Sequence, residues 1–165
     1  MSIELPLSLK VNGEDRNLTV PPWMSLADML RERLHLAGTR IGCNEGVCGT
    51  CTVLLDSVPV RACLTLAAQA DGAVVETVEA YADDPGLRAI QQAFVDHHAA
   101  QCGFCTSGML AIVRAFLDDR TIADHGEEAV IRRTLDAVLC RCTGYQPIVA
   151  AVKALAARRE GRADG

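Results

Sequence analysis

The chain has 165 residues, of which 50% are hydrophobic and 22% charged, with a formal net charge of −5 at pH 7. This composition can fill a hydrophobic core, which excludes a disordered chain, and the length suits one ordinary domain or two small ones. The acidic balance and an aromatic content of 4% argue against a nucleic-acid partner, because phosphate contacts need basic residues and base stacking needs aromatic ones.

The N-terminal half, predicted as a domain over residues 1–80, has the pattern of a small mixed sheet with one helix. Apolar residues alternate at the start of the chain, and Asn12-Gly13 is a strong hairpin signal. Ser25 is a candidate N-cap for a helix that we expect to end near Gly38. Strands are predicted at residues 3–11, around residues 18–20, and at residues 52–55, 58–60 and 73–78, with a tight turn at residues 56–57.

The C-terminal half has the pattern of a small helical bundle. It follows an acidic stretch that predicts a linker over residues 81–86, and we expect the second domain to cover residues 87–160. Leu139 is expected to face inward, and Pro147 stands in a first turn, where proline is tolerated. The apolar spacing predicts helices at residues 87–99, 106–118, 127–139 and 147–159.

Eight cysteines are the unusual feature of the composition. The first six residues lack the basic and apolar regions of a secretory signal. No apolar run approaches the roughly 18 residues that a membrane span requires. We therefore expect a cytoplasmic protein with no membrane span, in which cysteines indicate metal ligation or redox chemistry before structural disulfides.

The first cysteine set has the spacing C-x4-C-x2-C-x11-C, and its first three members match the plant-type [2Fe–2S] ferredoxin pattern. Its members are Cys43, Cys48, Cys51 and Cys63, and the glycines predicted to let the loop wrap around a cluster are Gly42, Gly46 and Gly49. Four thiolates around the cluster leave a net negative charge, which needs backbone N–H donors. Zinc also accepts four cysteines but more often uses paired C-x2-C motifs. The pattern favours iron–sulfur over zinc, and both over disulfides.

The second cysteine set consists of Cys102-x2-Cys105 and, 34 residues further on, Cys140-x-Cys142. Each pair precedes a predicted helix, and helix N-termini favour an anionic group because they carry free N–H groups and partial positive charge. By spacing alone, a second [2Fe–2S] cluster and a zinc site both stay open.

Three segments form a more specific pattern: IGCNEGVCGTCTV at residues 41–53, QCGFCTSGM at residues 101–109 and LCRCTGYQPIV at residues 139–149. Together they resemble the iron–sulfur small subunit of the molybdenum hydroxylases, the xanthine oxidase family, which includes bacterial aldehyde, carbon monoxide and N-heterocycle dehydrogenases. The resemblance covers residues 3–157 with all eight ligand positions in order. Ser107 stands where the family usually has proline and Thr50 where alanine is common, and neither departure removes a ligand.

The resemblance implies an α+β chain, with a plant-type ferredoxin-like (β-grasp) domain followed by an all-α four-helix-bundle [2Fe–2S] domain. It implies a cluster in each domain. It also places Gln101 and Cys142 against the molybdopterin of a large subunit, commonly the cytosine dinucleotide form in bacteria. The cluster held by the first cysteine set would then lie toward FAD in a medium subunit, within a heterotrimer or a dimer of heterotrimers.

The implied role is electron transfer without catalysis. Electrons would pass from molybdopterin through the second and then the first cluster to FAD. The reaction of the complex would be hydroxylation or oxidation of an aldehyde, an N-heterocycle or a similar substrate, with water as the oxygen source. Two alternatives stay open: a free two-cluster ferredoxin shuttle and a zinc-stabilised binding module. Iron and zinc analysis separates the second alternative from the other two functions.

Overall fold

A computed structural model describes residues 3–82 and 84–163, with side chains described as far as residue 159. Within these ranges the N-terminal half forms one mixed sheet in the order β2-β1-β5-β3-β4. β1 pairs with β5 in parallel, and the other neighbours are antiparallel. The strands are β1 (Leu5–Val11), β2 (Glu14–Val20), β3 (Thr52–Leu55), β4 (Val58–Arg61) and β5 (Val74–Glu76).

Two tight turns join neighbouring strands of this sheet at the predicted positions. Asn12 and Gly13 join β1 to β2 with φ of 52° and 84°, and Asp56 and Ser57 join β3 to β4 with φ of 48° and 68°. Positive φ at both central residues gives a turn whose twist matches that of the flanking strands. The predicted strand at residues 73–78 is shorter in the structure, because residues 78–82 form a 3-10 helix.

The first helix is shorter than predicted. Ser25 caps it, since its hydroxyl accepts a hydrogen bond from the Asp28 N–H at 3.0 Å. The helix α1 (Leu26–Asp28) continues as a wider π turn over Met29–Arg33. The prediction that it ends near Gly38 was wrong: His35 has φ of 58°, which turns the chain out of the helix.

Four further helices follow in the described part of the chain: α2 (Pro85–Asp96), α3 (Thr106–Asp118), α4 (Glu128–Leu135) and α5 (Gln146–Ala163). α4 ends four residues before the predicted boundary at residue 139, and Leu139 is 57% exposed, so its predicted inward position was wrong. The physical reason is a hydrogen bond from the Leu139 N–H to the Cys48 carbonyl at 2.8 Å, which draws this segment onto the N-terminal half. Pro147 lies in the first turn of α5, as predicted.

The stretch predicted as a linker is folded where the structure describes it. Tyr81 is 1% exposed and packs in the helical core. The Asp84 carboxylate caps α2 by accepting from the N–H groups of Gly86 and Leu87 at 2.7 and 3.0 Å. Each half of the chain has its own hydrophobic core. The division into domains at residues 1–80 and 87–160 stays a prediction.

The two halves meet at a close backbone crossing between the loop before β3 and the helix α3. An added Cβ at Gly108 would lie 2.5 Å from the Gly49 carbonyl oxygen. The Arg61 guanidinium donates to the Thr52 hydroxyl at 2.6 Å and to the Ala137 carbonyl, so one side chain connects β3, β4 and the segment after α4. None of the helices in the described residues is both long and apolar enough to cross a membrane.

Candidate metal centres

The β3–β4 hairpin positions half of the first cysteine set. Cys51 directly precedes β3, and one residue separates Cys63 from the end of β4. Because Thr52 pairs with Arg61 in the antiparallel register, the two thiols reach the same end of the hairpin. Burial raises the pKa of the Cys51 thiol to about 11, and the thiol of Cys63 also raises it through a hydrogen bond and its charge. The hairpin register therefore predicts that Cys51 and Cys63 form one pair.

The loop between α1 and β3 contains the other two cysteines of this set, Cys43 and Cys48. Burial opposes ionisation of Cys48, but hydrogen bonds from Thr50 and Cys43 outweigh it and lower the pKa of the Cys48 thiol to about 7. The N–H groups of Glu45 and Cys48 each lie 3.4 Å from the Cys43 sulfur. Backbone N–H groups aimed at a sulfur are suited to the anionic sulfurs of an iron–sulfur cluster.

The second cysteine set forms two pairs across the start of α3 and the segment between α4 and α5. The sulfur of Cys142 lies 3.5 Å from that of Cys102. Burial raises the pKa of the Cys105 thiol to about 12, and a hydrogen bond with Cys140 also raises it. Cys105 is half-buried and Cys140 is buried, whereas Cys102 and Cys142 are exposed, so we expect Cys105 and Cys140 to form an inner pair.

The separation of the Cys102 and Cys142 sulfurs is that of two ligands on one metal ion. Two thiolates at about 2.3 Å from one tetrahedral metal lie about 3.7 Å apart, close to the separation of 3.5 Å between Cys102 and Cys142. A zinc ion would need four such ligands around one point. The arrangement fits two irons per set, each bound by two thiolates.

The predicted cluster-binding glycines have different surroundings. An added Cβ at Gly42 would lie 3.1 Å from the Cys48 sulfur, so glycine leaves room for the ligand. At Gly46 the Cβ would lie 2.2 Å from the side chain of Leu64, next to Cys63. Gly49 has φ of 73°, and an added Cβ there would lie 2.2 Å from the Ala137 carbonyl oxygen. Gly49 therefore lies at the contact between the two halves of the chain.

Two threonines are functional candidates that sequence reasoning missed. The Thr50 hydroxyl lies 3.2 Å from the Cys48 sulfur, and the Thr143 hydroxyl lies 3.1 Å from the Cys140 sulfur. In the described residues, each cysteine set therefore has a threonine hydroxyl against the sulfur of a candidate ligand. The sequence signal for them is weak: each threonine lies two or three residues after a cysteine, and Thr50 also departs from the family pattern.

A hydrogen bond joins the two cysteine loops. The Leu139 N–H donates to the Cys48 carbonyl at 2.8 Å, so a cysteine of the first set contacts the residue before Cys140 of the second. An added Cβ at Gly42 would lie 3.3 Å from the Phe104 ring, which places the loops side by side at a second point. The two candidate centres are therefore connected by a hydrogen bond between their loops, and the loops also lie close together at Gly42 and Phe104.

The outer edge of the second set faces solvent. Cys102 and Cys142 are exposed, as is Gln101, the residue predicted to contact a pterin. Phe104 is 44% exposed beside them. This edge can accept a partner surface against the sulfur atoms, whereas the Cys105–Cys140 pair lies deeper.

Both halves of the chain match known iron–sulfur domain families. Residues 9–77 match the family model of the 2Fe-2S iron-sulfur cluster binding domain, and residues 77–153 match that of the [2Fe-2S] binding domain. The chain is 48% identical over 145 residues to subunit beta of the 6-hydroxypseudooxynicotine dehydrogenase complex of Paenarthrobacter nicotinovorans, covering 88% of this chain and 89% of that one. It is 46% identical over 154 residues to subunit gamma of caffeine dehydrogenase of Pseudomonas sp. strain CBB1, covering 93% and 92%.

A solved structure has the same fold over nearly the whole chain. The match is to quinoline 2-oxidoreductase from Pseudomonas putida 86, with a TM-score of 0.87 and 45% sequence identity. It covers 96% of both chains. The sheet-containing and helical parts of this chain therefore have counterparts, in the same order, in one chain of that oxidoreductase.

Proposed function

The chain belongs to the iron–sulfur small-subunit family of the molybdenum hydroxylases, the xanthine oxidase family, and from this premise we propose that it connects a molybdopterin-binding large subunit with an FAD-binding medium subunit. Its role as an electron-transfer subunit of an oxidoreductase follows from the family. The observation that supports the proposal most strongly is the pairing of cysteines in two loops that contact each other.

The chain's own residues would hold two [2Fe–2S] clusters. When bound, each cluster supplies a centre that takes up and releases one electron at a time. One iron of each cluster would be bound by each cysteine pair: Cys43 with Cys48, Cys51 with Cys63, Cys102 with Cys142, and Cys105 with Cys140. The Leu139–Cys48 hydrogen bond keeps the two loops in contact, which shortens the path between the centres.

The exposed edge of the second set is the face that we assign to the large subunit. Cys142 would be both an iron ligand and a hydrogen-bond acceptor, and the Gln101 amide would contact the pterin. This direction agrees with the exposure of Cys102 and Cys142 and makes the first set the exit toward FAD. Thiolate ligands also favour a cytoplasmic location, where they stay reduced until clusters are inserted.

We favour an N-heterocycle as the substrate of the complex. Relatives at 45–48% identity include proteins named for 6-hydroxypseudooxynicotine, caffeine, nicotine and quinoline. An aldehyde is the second candidate, because the chain is also 39% identical to the iron-sulfur-binding subunit of the aldehyde oxidoreductase PaoA of Escherichia coli. In either case the complex would take the oxygen of its product from water.

Purification of the tagged chain from cells that express its neighbouring genes tests this function. We expect two larger subunits to co-purify, with molybdenum, FAD and iron at about 1:1:4 per copy of the chain, because each cluster contains two irons. A brown monomer with iron but without molybdenum or FAD would instead be a free ferredoxin shuttle. A colourless protein that contains zinc would be a binding module.

A further inference from the structure

The Thr50 side chain shares one hydroxyl proton between two acceptors. Its oxygen lies 3.0 Å from the Arg40 carbonyl oxygen and 3.2 Å from the Cys48 sulfur. A thiolate bound to iron has no proton to donate, so Thr50 must be the donor in any hydrogen bond with Cys48. The single O–H can therefore point to the carbonyl or to the sulfur.

Burial makes this choice energetically important. Thr50 is 4% exposed. In such a low-dielectric environment, the dipole of its O–H group interacts strongly with nearby charge. An added Cβ at Gly42 would lie 3.1 Å from both the Cys48 sulfur and the Thr50 oxygen. Glycine at this position thus leaves the hydroxyl and the sulfur in direct contact.

We propose that the Thr50 hydroxyl is a redox-responsive hydrogen-bond donor that raises the reduction potential of the first cluster. Addition of one electron makes the ligand sulfur more negative, which favours rotation of the O–H from the Arg40 carbonyl toward the sulfur. The proton stays on the threonine oxygen, so no proton is transferred. Because hydrogen bonds to sulfur set cluster potentials, the reduced state is the one stabilised.

The second cluster has a fixed counterpart. The Thr143 oxygen accepts a hydrogen bond from the Tyr145 N–H at 3.1 Å and lies 3.1 Å from the Cys140 sulfur. Within the described residues, its hydroxyl proton has Cys140 as its acceptor. Thr143 therefore donates to sulfur in both redox states, whereas Thr50 responds to the added electron. The inference rests on the proposed function, since it assumes that both sets hold clusters.

Redox titration of the full chain with its clusters, followed by EPR, tests the proposal. In Thr50→Val we expect the equilibrium constant for one-electron reduction of the first cluster to fall at least about tenfold, a shift of about 59 mV. The second cluster keeps its potential. Thr50→Ser, which retains the hydroxyl, should keep most of the wild-type reduction potential. Thr143→Val is the reciprocal control and lowers the potential of the second cluster alone.

A second measurement follows the proton itself. ENDOR of the reduced first cluster in D2O should show an exchangeable deuteron coupled to the cluster, and this coupling should be absent in Thr50→Val. An unchanged potential in Thr50→Val, or an equal shift of both clusters, would overturn the inference while leaving the electron-transfer function intact. A wild-type chain without two iron–sulfur signals would overturn both.

Discussion

Replacement of Gly49 by alanine is expected to separate the two halves of the chain and to cost about 2–5 kcal/mol of stability. Two effects add together. A left-handed backbone with φ of 73° is unfavourable for alanine, and the new Cβ would lie 2.2 Å from the Ala137 carbonyl oxygen and 3.0 Å from the Val138 Cα. Both contacts are with backbone, so no side chain can rotate away. Domains have a total stability of only about 5–15 kcal/mol, so the loss is large.

Gly72→Ala is the matched control for this experiment. Gly72 has φ of 76°, but an added Cβ there would meet nothing within 4 Å. It therefore carries the backbone penalty of about 1–2 kcal/mol without the collision. We expect Gly49→Ala to show a lower midpoint of thermal unfolding and less bound iron than Gly72→Ala. Equal midpoints and equal iron contents in the two variants would show that the crossing at Gly49 is not a tight contact.

Cys142→Ser is expected to interrupt electron flow between molybdopterin and FAD in the assembled complex. The substitution removes one thiolate of the exposed Cys102–Cys142 pair, whose sulfurs lie 3.5 Å apart. Loss of a group that merely orients a ligand reduces metal affinity about 10–100-fold, so loss of the ligand itself should cost more. We expect substrate-dependent reduction of the flavin to fall more than about 100-fold, as measured anaerobically with quinoline or nicotinate as trial substrates.

The first cluster is the internal control for the Cys142→Ser variant. Its ligands lie in the loop before β3 and after β4, so dithionite should still produce its EPR signal while the signal of the second cluster is lost. Normal flavin reduction by substrate in a variant that has lost the second signal would contradict the relay through this set.

Local patterns made much of the fold predictable. Alternating apolar residues indicated β1, and Asn12-Gly13 indicated the turn that follows it, because both depend on neighbouring residues. Cysteine spacing likewise indicated two sets, since a cluster restricts which ligand positions can reach it. The end of α4 was not predictable in this way. It depends on the hydrogen bond between Leu139 and Cys48, which are 91 positions apart in the sequence.

The surroundings of individual site residues also depended on the tertiary structure. Gly49 was predicted to assist cluster binding, and the structure places it against Ala137 of the other half. The role of Thr50 depends on the Arg40 carbonyl, ten positions earlier, and no sequence pattern marks that contact. Spacing predicts the ligands, whereas groups that contact a predicted ligand are recognised only in the folded structure.

Metal, sulfide and EPR analysis of the purified chain tests the central claim most directly. Two clusters require about four irons and four acid-labile sulfides per chain. Reduction should produce two distinguishable EPR signals, one from each cysteine set. A chain with zinc and no sulfide, or with iron sufficient for a single cluster and one signal, would contradict the account.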